Sequence, residues 1–139
     1  MPSQKPSKVI IDTNIWISFL IGKELQDLRD RIVNEKIKVI TTDQLINEIR
    51  LVTSREKLKK YFSQEKVSDL ISLLNILADK VKIKKIDEIC RDPKDDFLLA
   101  LSKESKANYL ITGDKDLLDI KVYGRTKILT VKQFKEKIR

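Results

Sequence analysis

The sequence predicts an α/β fold: three α/β/α layers around a mostly parallel central sheet of four to five strands. Three observations carry that reading. Short runs of β-branched residues alternate with longer segments whose apolar residues recur at helical spacing. The first run, Val9-Ile10-Ile11, ends at Asp12, as a buried parallel strand reads. With 41% hydrophobic residues and only three glycines and three prolines in 139 residues, the chain suits one compact domain, 1–139, preceded only by a loose arm over Met1 to Ser7.

The elements follow in order. After the first strand, Ile15 to Ile21 opens an apolar helix, and Leu25, Leu28, Ile32 and Val33 continue at helical spacing. Ile37 to Ile40 is a second strand, rich in β-branched residues. Thr42 or Asp43 caps a helix whose one face carries Leu45, Ile49 and Val52. A basic stretch with Tyr61 and Phe62 leads to another helix, marked by Val67, Leu70, Ile71, Leu74 and Leu77. Val81-Lys82-Ile83-Lys84 alternates like a strand near a sheet edge, where lysines discourage edge pairing. Asp92-Pro93 reads as an N-cap and first helical residue, opening a helix through Leu98 and Leu101. Tyr109-Leu110-Ile111 is a fourth strand and Lys127 to Leu129 a fifth, and Thr130 with Gln133 forms a capping box for a last helix carrying Phe134 and Ile138.

Composition excludes several chemistries. The chain has no histidine, so imidazole-ligated zinc and histidine-based nucleophilic hydrolysis lack their central side chain. Cys90 is the only cysteine, which forbids an intramolecular disulfide and a multi-thiolate metal site. No apolar stretch approaches the roughly 18 residues of a membrane span and no secretory h-region is present, so the expected location is the cytoplasm, without membrane contact. Acid–base work near neutral pH falls to carboxylates, lysine, tyrosine or a metal-activated water.

Four acidic signals lie beside apolar runs: Asp12-Thr13-Asn14, Glu48, Asp95-Asp96, and Thr112-Gly113-Asp114-Lys115-Asp116. Each also has a local reading. Asp12 to Asn14 suits a helix cap. Asp95 and Asp96 suit the positive end of a helix dipole. Glu48 suits a solvated helix flank, and Asp114 with Asp116 suits a polar turn. In a doubly wound sheet, however, ligands bind outside the carboxyl ends of the strands where strand order reverses. Asp12 and Asp114 follow the first and fourth strands, so a reversal between those strands makes them neighbours. Gathered carboxylates with no nitrogen or sulfur partner suit Mg²⁺ or Mn²⁺.

These four segments, in this order and spacing, resemble the PIN-domain family, in particular its VapC-like branch of toxin components from toxin–antitoxin systems. The likeness rests on Val9 to Asn14, on Glu48 within Gln44 to Ile49, on Arg91 to Ala100, and on Tyr109 to Leu117. It implies a 5′ nuclease-like fold and a Mg²⁺- or Mn²⁺-dependent ribonuclease. Asp12, Glu48, Asp95 and Asp114 are the implied catalytic acids. Asp12, Asp95 and Asp114 are the metal ligands, with Asp96 and Asp116 as second choices. Thr13 and Asn14 support the first loop and Thr112 the last.

The implied reaction is hydrolysis of an RNA phosphodiester to a 5′-phosphate and a 3′-hydroxyl. A formal net charge of +8 fits a polyanionic substrate. Arg50, Arg55 and Lys115 are the leading candidates to hold RNA, alongside Lys57, Lys59 and Lys60, with Tyr61 or Trp16 as stacking surfaces. Implied partners are a cognate antitoxin and a second copy in a homodimer. Among rivals, a receiver domain wants an acidic pair at its first strand, and a haloacid-dehalogenase-type phosphatase wants an aspartate where Asn14 stands. The remaining alternative is a non-catalytic RNA- or protein-binding module that keeps the fold.

Overall fold

A computed structural model describes residues 5–22, 24–34, 36–86 and 93–137. The chain runs β1 (Ser7–Ile11), α1 (Thr13–Ile21), α2 (Glu24–Val33), β2 (Ile37–Thr41), α3 (Asp43–Thr53), α4 (Glu56–Lys59), α5 (Gln64–Leu77), β3 (Asp79–Lys80), α6 (Pro93–Ser105), β4 (Tyr109–Ile111), α7 (Lys115–Ile120), β5 (Val122–Tyr123), β6 (Thr126–Leu129) and α8 (Val131–Lys137). The strands form one sheet in the order β3-β2-β1-β4-β6-β5, parallel except for the β5–β6 pair. Helices flank it, which is the α/β/α architecture expected from the sequence.

The strand order explains where a site can form. From β1 the chain moves outward to β2 and β3, then returns to place β4 on the other side of β1. The carboxyl ends of β1 and β4 are therefore adjacent at the reversal, and Ile11 pairs with Ile111. The buried middle of the sheet, Val9, Ile10, Ile11, Val39, Leu110 and Ile111, packs against Trp16, Leu45, Ile49, Leu70, Leu74, Leu99 and Leu101 from the helices. Strands covered on both faces have no reason to alternate polar with apolar residues.

Several elements differ from the sequence expectation. The third strand is Asp79–Lys80 rather than Val81 to Lys84. It pairs with Ile40 and Thr41, and Val81 N–H still donates to the Thr41 carbonyl at 2.8 Å. Beyond Thr41 the neighbouring strand turns into α3, so residues 82–84 have no ladder to join, although their in–out alternation persists. The sheet has six strands because Val122–Tyr123 folds back on Thr126 and Lys127 through a two-residue loop. Gly124, first in that loop, sits at φ +61°, a conformation glycine adopts without steric cost. Where the sequence offered a polar turn at Asp114 and Asp116, the structure has a helix, Lys115–Ile120. Ser7, assigned to the arm, opens β1 opposite Ile37.

Trp16 is not a stacking surface: it is fully buried, edge-on to Phe19. The reason is that α1 is apolar around most of its circumference and is driven into the core. Thr130 and Gln133 do form the capping box, with Gln133 N–H donating to Thr130 Oγ1 at 3.2 Å and Thr130 N–H donating to Gln133 Oε1 at 2.9 Å. Asp92, Cys90 and Ile138 lie outside the described residues.

Candidate active site

The loops leaving β1 and β4 are tied together by hydrogen bonds. Asp12 N–H donates to the Ile111 carbonyl at 3.0 Å, which extends the β1–β4 ladder to the acid itself. The Thr112 hydroxyl, fully buried, donates to Asp12 Oδ2 at 2.7 Å and accepts from Asp114 N–H at 3.1 Å. One side chain thus ties the Asp12 carboxylate, a hundred residues away in sequence, to the backbone of Asp114.

Capping and clustering turn out to be compatible. Asp12 caps α1, with Oδ1 accepting from Asn14 N–H at 3.4 Å, and Asp114 caps α7, with Oδ1 accepting from Asp116 N–H at 2.8 Å. Asp95 and Asp96 occupy the first turn of α6, and both are buried. The first turns of α1, α6 and α7 supply the acids, and helix N-termini carry partial positive charge that favours ionised carboxylates there.

A cleft of about 240 Å³ collects these groups: Asp12, Asn14, Glu48, Arg55, Asp95 and Asp114 border it, with Val52, Phe97 and Leu98 as its apolar wall. All four acids singled out in the sequence therefore meet. Glu48 reaches the cleft because it lies one position before Ile49, at the margin of the buried face of α3. Carboxylate oxygens of Asp95, Asp114 and Asp116 lie within 4.8 Å of one another. Asp96, buried in the same turn as Asp95, is not part of that trio, and neither Asp96 nor Asp116 lines the cleft itself. The missed signal was Asp114 before Leu117 and Leu118, a capping aspartate ahead of an apolar pair, which starts a helix and turns Asp116 toward the cluster.

The basic candidates separate. Arg55 borders the cleft. Arg50, one residue after the buried Ile49, lines a different groove with Gln64 and Ser68 between α3 and α5. Lys115 is exposed between Asp114 and Asp116. Thr13 is buried at the start of α1. Size does not select the site: a larger groove of about 570 Å³ between α1, α2 and α5 has no such gathering of acids.

Burial pushes the Asp12 carboxyl above its ordinary range. The Thr112 hydroxyl and the Asn14 and Thr13 backbone pull it back, while the neighbouring Asp114 charge pushes it further up. A cation in the cleft reverses that balance. The donor set fits one: it is all oxygen, and carboxylate oxygens of Asp95, Asp114 and Asp116 all lie within 4.8 Å of one another.

An acidic cleft at the switch point of a doubly wound sheet, with an aspartate cluster that could take a divalent cation, defines the class: an α/β protein with its candidate site at the carboxyl ends of the strands. The chain belongs to the PIN-domain family, whose model, described as "PIN domain" (PIN_3), matches residues 8–116. PIN domains are in general nucleases and typically use a divalent metal ion. A relative from Methanocaldococcus jannaschii, the uncharacterized protein MJ1680, is 34% identical over 121 residues, covering 82% of this chain and 75% of its own. Among the described residues, no helix is long and apolar enough to cross a membrane.

Proposed function

We propose that the chain is a Mg²⁺- or Mn²⁺-dependent endoribonuclease, the toxin of a toxin–antitoxin pair acting in the cytoplasm. The observation that carries the catalytic part is the meeting of Asp12, Glu48, Asp95 and Asp114 around one cleft, with Asp116 completing a close trio. The toxin assignment is supported by the likeness of the four motif segments to that branch of the family. It brings with it a separate antitoxin chain and a homodimer as expected partners.

Asp12, Asp95 and Asp114 would hold the cation, with Asp116, close to Asp95 and Asp114, as a further ligand. When bound, such an ion supplies Lewis acidity, activating water and neutralising phosphate charge. The protein's own part is positional. Thr112 fixes Asp12 against Asp114, Asn14 N–H fixes the Asp12 rotamer, and Glu48 faces the same space from α3 as the acid able to orient water. Arg55 at the rim meets the phosphate. A water oxygen bonds to phosphorus as the bond to the 3′ oxygen breaks. The departing oxygen takes up a proton, leaving a 5′-phosphate and a 3′-hydroxyl with no covalent enzyme intermediate.

The test is cleavage of single-stranded and structured RNA with Mg²⁺ or Mn²⁺ against the same mixture in chelator, with product ends identified. Cleavage is expected only with metal, and Asp12→Asn is expected to abolish it while the far-UV spectrum stays unchanged. Full activity of Asp12→Asn, or products bearing a cyclic phosphate, overturns this chemistry. RNA binding without a thermal response to either metal favours the non-catalytic module. For the toxin role, the decisive observation is the neighbouring reading frame, where a small DNA-binding protein is expected.

A further inference from the structure

The far end of α6 carries a second cavity, of about 350 Å³, with the opposite chemistry. Lys103 and Lys106 from the end of α6 and Arg125 from the β5–β6 loop line it, together with Tyr123, Ser102 and Thr126, and its described lining contains no carboxylate. Asp95 and Lys103 are eight residues apart on one helix, so the two sites are about 12 Å apart along its axis.

Lysines near a helix C-terminus have an ordinary explanation, since they offset the negative end of the dipole. Here that end is already served. The Ser102 carbonyl accepts from Ala107 N–H at 3.2 Å, and the Ser105 carbonyl accepts from Lys8 Nζ at 3.3 Å. Arg125 does not belong to the helix at all. It reaches the cavity because Gly124, at φ +61°, lets the hairpin turn in two residues and carry the arginine past the edge of β6. The acid beside Lys103, Glu104, faces Lys84 at 3.7 Å.

The Ser102 and Thr126 hydroxyls in the cavity donate elsewhere. Ser102 Oγ donates to the Leu98 carbonyl at 2.9 Å, and Thr126 Oγ1 donates to the Ala107 carbonyl at 2.7 Å. What the cavity offers a ligand is chiefly positive charge, with an arginine fork suited to phosphate and Tyr123 beside it. Its volume exceeds that of a bare phosphate and falls in the range of small-ligand pockets, roughly 300–1,000 Å³.

We propose that this cavity is a second polynucleotide site, holding one nucleotide unit of an RNA strand by its backbone phosphate on Lys103, Lys106 and Arg125. It deepens the reading of the chain as an RNA-acting protein and rests on it, but it needs neither metal nor cleavage. Its role is to anchor RNA at a distance from the acids, so it matters for long substrates and not for short ones.

The test measures binding of a labelled single-stranded RNA of about twelve nucleotides to the full chain in chelator, across a salt series. Three proteins are compared: wild type, Lys103→Ala/Lys106→Ala/Arg125→Ala, and a control with equal charge loss on α8, Lys132→Ala/Lys135→Ala/Lys137→Ala. Loss of three phosphate contacts is expected to flatten the log–log salt slope by about 2 and to weaken binding about tenfold or more at moderate salt, in the cavity variant alone. Equal slopes in the cavity variant and the control overturn the proposal. So does a free mononucleotide that competes as tightly as the RNA, which makes the ligand a soluble nucleotide. A wild type that shows the cavity-dependent slope yet never cleaves with metal sinks the nuclease reading and leaves the anchor standing.

Discussion

The two ends of α6 carry opposite charge. At its N-terminus, Asp95 joins Asp12, Glu48 and Asp114 around a cleft that has one bordering cation, Arg55, among its described residues. At its C-terminus, Lys103 and Lys106 join Arg125 around a cavity whose described lining has no carboxylate. A phosphate is attracted directly to the second and repelled by the first until a divalent ion is present. On the two proposals above, binding and chemistry fall to different places: one end would supply affinity that salt weakens, the other would act only through a cation. The arrangement also follows the helix dipole at both ends, so neither cluster works against α6 itself.

The comparison breaks most sharply at the acidic end. Asp114→Asn removes a charge from the aspartate trio, yet the amide oxygen can still accept from Asp116 N–H and keep the cap of α7. Metal-dependent cleavage is expected to fall about a thousandfold or more, as suits a site asked to supply several kcal/mol of charge stabilisation. RNA affinity in chelator is expected to rise slightly, since a repelling charge is gone. If single-turnover assays show near-normal cleavage, the trio is not the metal site.

Thr112→Val is the next largest. Valine matches the shape but neither donates to Asp12 nor accepts from Asp114 N–H. Leaving these groups unpaired costs about 1–3 kcal/mol of stability. As a partner that orients ligands, Thr112 is expected to account for about 10–100-fold in metal affinity. Thermal denaturation with and without Mn²⁺ reads both effects. An unchanged metal response means that Thr112 merely closes the fold, while Thr112→Ser is expected to restore most of it.

How much of this was legible in the sequence follows from what is local. The ends of β1 and β4, and the acids that follow them, could be read because a buried strand and its exit are written in a few consecutive residues. The capping box of α8 is equally local, and the structure keeps both of its bonds. The four acids that border the cleft were all named, because each stands in a short segment that resembles the family's motifs. What escaped depends on neighbours. β3 falls before Val81 because β2 ends at Thr41, and β5 exists only because Gly124 turns it back onto β6. The proximity of Asp116 to Asp95 required knowing that α7 begins at Lys115. The basic cavity joins a helix end to a hairpin turn, two pieces that no periodicity connects.

The smallest expected effect is the pH dependence of Asp12, and it separates the two ends by a property only a buried carboxylate has. Burial raises its folded pKa above the ordinary 3.8, so the folded chain holds this proton more tightly than the unfolded chain does. The stabilising contribution is complete below the unfolded value and is lost as pH rises through the raised folded value. At neutral pH without metal, ionised Asp12 is therefore a net cost. Asp12→Asn, which keeps an acceptor for Thr112, is expected to melt a few degrees higher than wild type at pH 7 in chelator. The difference should shrink toward zero as pH falls to about 4. Saturating Mg²⁺ or Mn²⁺ is expected to reverse the order, because wild type gains binding free energy that the variant largely lacks. Removing Lys103, Lys106 and Arg125 should leave this pH profile unchanged. A profile that moves with them ties the two ends of α6 into a single electrostatic unit and removes the division of labour between them.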